Sequence, residues 1–200
     1  MNDEMAWIVQ AQHGSDEAFA QLVETYQTPV YNLCFRMLGE EEAAEDAAQE
    51  CFLRAYQNLI RYDRGRPFAT WLLSIAAHYC IDRLRRRRFV SVSIDQDDSD
   101  EAPMELPDTA ALNPEAEAVR REEQQHLQRM LQSIDYTDRA ALVLRYWYDF
   151  SEVEIAGALS LTVSAVKSRL HRARKELGKR WLADSPNADL ERMPYESPAF

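Results

Sequence analysis

Residues 151–177, SEVEIAGALSLTVSAVKSRLHRARKEL, constrain the fold more than any other stretch, because they encode two helices with a minimal turn between them. Ser151 followed three residues later by Glu154 is a capping box. Hydroxyl and carboxylate each satisfy a free backbone amide, so a helix starts after Ser151. Ile155, Ala156 and Leu159 give that helix a short apolar face. After a three-residue turn, the Thr162 hydroxyl is placed to cap a second helix. Along it Val163, Val166, Leu170, Ala173 and Leu177 recur every three or four residues and form one apolar stripe. Lys167, Ser168, His171, Arg172 and Lys175 fall on its other faces. An apolar helix within DRAALVLRYWYDF (138–150) is available to pack behind the pair. A short helix, a tight turn and a basic second helix form a helix-turn-helix, whose second helix enters the major groove. The turn lacks the glycine often found there. A solvated surface helix, or a trihelical protein-interaction module, is the competing reading of the same spacing.

Charge distribution favours the nucleic-acid reading. The chain has 200 residues and a net charge of −11, yet two segments run against that sign. Residues 61–90 carry a net +6 and residues 138–182 a net +4, whereas 1–60 and 91–137 carry −9 each. Two basic islands in an acidic chain imply two separate nucleic-acid contacts, with the acidic remainder opposing nonspecific binding.

Other classes find little support. No apolar run approaches the length of a membrane span, and the acidic N-terminus lacks a basic-then-apolar signal pattern. Cys34, Cys51 and Cys80 are widely spaced with no CxxC, and read as small core residues of a protein in a reducing compartment. His13, His78, His126 and His171 are equally scattered. The sequence contains no metal-ligand cluster, nucleophile elbow or phosphate loop, so neither cofactor nor metal is expected, and the chain reads as a cytoplasmic non-enzyme.

Glycine is scarce and no alternating strand pattern occurs, so the fold class is all-α. SIDQDDSDEAPMELPDTAALNP holds three prolines and many carboxylates and cannot bury enough apolar surface to fold, which makes it a flexible acidic linker. The expected organisation is an N-terminal domain over 1–90, a linker over 91–114, a C-terminal domain over 115–182 and a disordered tail over 183–200. Four N-terminal helices are predicted, at about 4–13, 16–38, 41–59 and 67–88. On the third, Ala44, Ala48, Cys51, Ala55 and Leu59 form the inward stripe, leaving Asp46, Gln49, Glu50 and Phe52 on other faces. The fourth begins with Phe68, Trp71 and Tyr79 and ends with Arg83 and Arg85 to Arg88. Aromatic and basic residues interleaved in this way suit base stacking with phosphate contact, the needs of a single-stranded nucleic acid. Core packing is the other reading of Trp71.

Taken together these residues resemble one family. DAAQECFLRAY (46–56) is similar to the polymerase-binding helix of bacterial sigma factors, with its D-x-x-Q-E-x-F pattern. FATWLLSIAAHYCIDRLRRRR (68–88) is similar to the segment that follows in that family, and AVKSRLHRARKEL (165–177) to the recognition helix ending its second DNA-binding domain. The order of the three motifs and the short acidic linker resemble the extracytoplasmic-function (ECF) group. The sequence departs from the pattern at Asp135, where proline is frequent, at Ala165, where threonine is, and at His78, where asparagine is.

The resemblance implies a sigma region 2-like four-helix domain and a sigma region 4-like helix-turn-helix domain. It implies a sigma factor that binds core RNA polymerase, recognises −10 and −35 promoter elements and promotes melting. Asp46, Gln49, Glu50 and Phe52 would meet the clamp helices of the polymerase beta-prime subunit. The loop 60–67 and the start of the next helix would hold an unstacked base, with Tyr62, Arg66, Phe68, Trp71, Arg83, Arg85 and Arg86 at the −10 element. Ser164, Lys167, Ser168, His171, Arg172 and Lys175 would serve the −35 element, and the C-terminal domain would rest on the beta-subunit flap. An anti-sigma factor is a further implied partner. A stand-alone helix-turn-helix regulator is the alternative, but it leaves the basic-aromatic island at 67–88 without a role.

Overall fold

A computed structural model describes residues 3–93 and 114–184. Most of the expected linker (94–113) and of the expected tail (185–200) lies outside the described residues. Among the described residues the fold is all-α, as expected, with no β-strand. The helices are α1 (Asp3–Gln12), α2 (Asp16–Leu38), α3 (Glu41–Asn58), α4 (Phe68–Ser93), α5 (Pro114–Gln132), α6 (Tyr136–Trp147), α7 (Glu152–Ala158) and α8 (Val163–Asp184), with a 3-10 turn over Leu59–Arg61.

Local chemistry sets the boundaries. Ser15 starts α2 by accepting a bond from the Ala18 amide, and Gly39 ends it in a left-handed conformation (φ 85°) that favours glycine. Asp135, at the position where proline was anticipated, caps α6 through bonds from the amides of Thr137 and Asp138. The α3 stripe is buried as expected, joined by Ala43 and Ala47. Cys34, Cys51 and Cys80 are free and buried, and hydrogen bonding with Cys34 together with burial pushes the Cys51 thiol up.

A single hydrophobic core runs through both halves of the chain. α2 packs on α5 and α6, and α4 packs on α6 and α7, whereas α3 touches only N-terminal elements and α8 only C-terminal ones. The join centres on the last carbonyls of α2, which can accept further donors even where, as at Phe35, the Gly39 amide already bonds them. Side chains of the C-terminal half supply them. Gln128 donates to the carbonyls of Phe35 (2.9 Å) and Arg36 (3.3 Å), and Arg139 to that of Met37. Gln132 comes so close that a Cβ on Gly39 would stand 2.7 Å from its amide nitrogen. Tyr148 donates to the Pro29 carbonyl (2.6 Å), and Arg36 lies over the Trp147 ring (5.0 Å).

Arg139 also donates to Gln132 and to the Ile134 carbonyl, so one buried guanidinium ties α2, α5 and α6 together. Arg139→Met should therefore lower unfolding stability by about 1–3 kcal/mol, the usual cost of stranding buried acceptors. Urea unfolding combined with small-angle scattering should show this loss together with a larger radius of gyration. An unchanged radius would mean that the join does not depend on Arg139.

Candidate polymerase and nucleic-acid interfaces

The helix-turn-helix forms as its caps dictate. The Ser151 hydroxyl accepts from the Glu154 amide (3.2 Å), and the Glu154 carboxylate accepts from the Ser151 hydroxyl (2.7 Å) and the Ser151 amide (2.8 Å), which hold the Glu154 carboxyl below its usual range. Ser160 occupies the turn with φ 54°, a conformation that favours the missing glycine. Thr162 caps α8 through the Ala165 amide (3.1 Å). Val166, Leu170 and Ala173 are buried, with Val163 and Leu177 packed at the margins.

The outer face of α8 presents Ser164, Lys167, Ser168, His171 and Lys175, all exposed. Lys167 lies 3.6 Å from Glu152 of α7. Arg172 sits on one flank, where its Nε and Nη2 contact the carboxylate of Asp138 at 2.5 and 3.0 Å. Sequence reasoning missed this partner, since nothing in the order of residues links position 138 to position 172.

On α3, Asp46 and Gln49 are exposed and Glu50 and Phe52 half-buried. Glu50 pairs with Arg54 (2.7 Å), and Asp46 lies 3.8 Å from Arg83 of α4. The two expected interfaces thus touch: Arg83, assigned from sequence to the −10 element, faces α3. The same outer surface carries Leu53 (58% exposed) and Ile60 (75%), with Tyr56 between them. An open apolar row of this kind marks an interaction face. Its signal in the sequence was apolar residues off the inward stripe, at 53, 56 and 60.

The loop before α4 holds its aromatic residues close to the core. Tyr62 and Phe68 are core residues, 5% and 3% exposed. The ring of Trp71, half-buried, stands 5.0 Å from that of Tyr62 and 5.5 Å from that of Phe68. The physical reason is local. The Tyr62 hydroxyl donates to the Arg66 carbonyl and Gln12 donates to the Tyr62 carbonyl (3.1 Å), which folds the loop back onto α1. The Tyr62 and Phe68 rings wall a cavity of about 270 Å³ lined also by Glu4, Tyr26, Arg66 and Pro67. Tyr26 donates to Glu4 (2.8 Å), and burial followed by that bond raises its phenol. Arg66, Arg85 and Arg86 are exposed, with Arg85 3.4 Å from Asp82.

Two family models match this chain: Sigma-70 region 2 over residues 22–90 and Sigma-70, region 4, over residues 124–177. The ECF RNA polymerase sigma factor SigW of Bacillus subtilis is 35% identical over 175 residues, covering 86% of this chain and 93% of the relative. This chain belongs to the ECF sigma factors. The RNA polymerase sigma-H factor of Pseudomonas aeruginosa is 31% identical, covering 86% of this chain and 90% of its own length. Among solved structures, CnrH in complex with the cytosolic domain of CnrY superposes with a TM-score of 0.67 at 27% identity, covering 92% of this chain and 100% of that one. The sigma factor RpoE of Bartonella quintana, solved with the anti-sigma factor NepR, shares the fold at a TM-score of 0.64 and 18% identity, over 84% of this chain and 98% of that one. As a sigma factor the protein directs RNA polymerase to promoters in transcription initiation. No helix among the described residues is long and apolar enough to cross a membrane.

Asp46→Ala combined with Gln49→Ala changes only exposed side chains, so stability should stay within about 1 kcal/mol of wild type. Binding to core polymerase, measured by fluorescence anisotropy of labelled sigma factor, should fall at least tenfold. Unfolding of the double variant, or undiminished binding, would show that this face is not the contact.

Proposed function

We propose that this sigma factor reads the two promoter elements from two surfaces, one in each half of the chain. Residues 1–90 serve core binding and the −10 element, and residues 115–182 serve the −35 element. In this reading Asp46, Gln49, Glu50 and Phe52 meet the clamp helices of the beta-prime subunit, with Leu53, Tyr56 and Ile60 extending the contact. The C-terminal domain rests on the beta flap. Neither role requires catalysis by the chain, and both belong in the cytoplasm, where polymerase and chromosome are. CnrH is bound by a cytosolic domain of another protein, which supports an anti-sigma partner here as well.

The observation that carries the proposal is the separation of the open faces: the apolar-acidic row of α3 and the basic outer face of α8 both lie outside the contact between the two halves. The closed chain can therefore meet polymerase first. Promoter binding demands more. The −10 and −35 elements lie some 25 base pairs apart, roughly 85 Å at 3.4 Å per pair. The longest helix, α4, has 26 residues and spans only about 39 Å. The halves must part on the promoter, and the twenty residues between them reach at most about 70 Å when extended. Hydrogen bonds to the end of α2 form a reversible join suited to that step.

Each reader is weak alone. A good base contact contributes about 1–3 kcal/mol, and a small module releases few counterions. Tethering both readers to one polymerase gives the second an effective concentration that reaches the millimolar range. This accounts for an acidic body that suppresses binding by the free protein. A stand-alone regulator would use neither the α3 row nor the second basic island.

Melting is the part assigned to the loop 60–67 and to α4. Trp71, Arg66, Arg85 and Arg86 take the direct contacts, while Tyr62 and Phe68 shape the cavity beside them. Stacking contributes about 1–3 kcal/mol per base, comparable with the cost of unstacking it. A holoenzyme with Arg85→Ala and Arg86→Ala should form closed complexes but open them poorly, and a pre-melted template should largely remove the defect. Equal defects on duplex and melted templates, read by permanganate footprinting and run-off transcription, would reduce these arginines to tethers.

A further inference from the structure

We infer that Asp138 is a positioning residue for promoter reading: it fixes the guanidinium of Arg172 so that its outer edge is presented to a guanine of the −35 element. The inference rests on α8 being the promoter-reading helix. Asp138 belongs to the first turn of α6, and its side chain is only 3% exposed. Both of its oxygens are used by α8. Oδ1 accepts from Nη1 of Arg169 at 2.7 Å and from Nη2 of Arg172 at 3.0 Å, and Oδ2 accepts from Nε of Arg172 at 2.5 Å.

The two arginines differ in what they leave free. Arg169 is 27% exposed and also lies 3.7 Å from Asp135, so both its acidic neighbours belong to the start of α6. It serves to seat α8 on α6. Arg172 gives the carboxylate its Nε and one Nη2 hydrogen, yet its side chain remains 63% exposed. A guanidinium has five N–H bonds in one plane. Two are engaged here, and the three on Nη1 and the outer side of Nη2 point away from the carboxylate. That outer edge carries two near-parallel N–H bonds, the pattern that pairs with O6 and N7 of guanine in the major groove.

The pairing also removes the usual cost of using a long side chain. A free arginine must lose rotamer freedom when it meets a base, whereas one held by a buried carboxylate has lost it on folding. The held edge is selective. Adenine offers N7 beside an amino donor, which opposes a second N–H, and thymine offers a single acceptor beside a methyl group. Guanine alone satisfies both hydrogens. Lysine could replace the charge of Arg172 but could not bind the carboxylate and a base edge with fixed geometry.

The test uses holoenzyme reconstituted from full-length sigma factor and core polymerase, with enrichment measured across a library randomised through the −35 element. Asp138→Asn should reduce the preference for guanine at one position about tenfold, as should Arg172→Lys, with other positions little changed. In an Arg172→Ala background, Asp138→Asn should alter the base preference no further. A merely structural Asp138 would instead weaken all −35 sequences alike and would act equally with or without Arg172; that pattern overturns the inference. If Asp138→Asn fails to fold, Asp138→Glu, which keeps the charge but moves the carboxylate, decides: an unchanged guanine preference sinks the inference, and a loss confined to that one position upholds it. His171→Ala and Lys167→Ala separate the two levels. A changed profile in these with an unchanged one in Asp138→Asn rejects the buttress alone, whereas no change in any α8 variant rejects α8 as the reader and the buttress with it.

Discussion

Two consecutive charged residues in the first turn of α6, Asp138 and Arg139, hold the molecule together. They are the two buried charged side chains among the described residues, 2% and 4% exposed. Burying a charge is costly unless it is paired or hydrogen-bonded. Adjacent positions on a helix point in different directions, so the two meet different neighbours. Asp138 receives two arginines of α8, and Arg139 reaches the buried Met37 carbonyl at the end of α2, where the helix dipole places partial negative charge. Burial pushes the Arg139 guanidinium down to about 10, so it stays cationic at neutral pH and keeps all four of its acceptors. One turn of α6 thereby seats the recognition helix on one side and joins the two halves of the chain on the other.

The join buries apolar side chains, and its polar part eases the opening proposed above. The hydrogen bonds to α2 exchange readily with water once the halves separate, whereas an interface made only of apolar side chains would lose its driving force without replacement. The acidic excess adds a second control. A net charge of −11 opposes DNA binding by the body of the chain, and on the proposed reading the two basic islands act where polymerase brings DNA to them.

Much of this was legible in the sequence because the relevant interactions are local. Caps at Ser151 and Thr162, the inward stripe of α3 and the stripe of α8 depend on neighbours three or four residues away, and the structure has them as expected. The turn residue Ser160 fills the left-handed place where glycine was missed. What could not be read depends on tertiary contact. Tyr62 and Phe68 look like stacking residues in a loop, but bonds from α1 draw them into the core. Arg172 looks like a free cation, and its carboxylate partner lies 34 residues away. The apolar row through Leu53 and Ile60 shows only once the inward face of α3 is known, because the helix carries apolar residues on both sides.

On the proposed reading, specificity belongs to the polymerase-bound protein and not to either half alone. Its most direct measurement is selection of promoter fragments from one random-sequence DNA pool by three species in parallel: free sigma factor, core polymerase, and their mixture at physiological salt. The predicted result is joint enrichment of two elements at fixed spacing in the mixture, with no sequence enriched by the free protein or by core alone. Enrichment of the same elements by the free protein, unaltered by adding core polymerase, would contradict it.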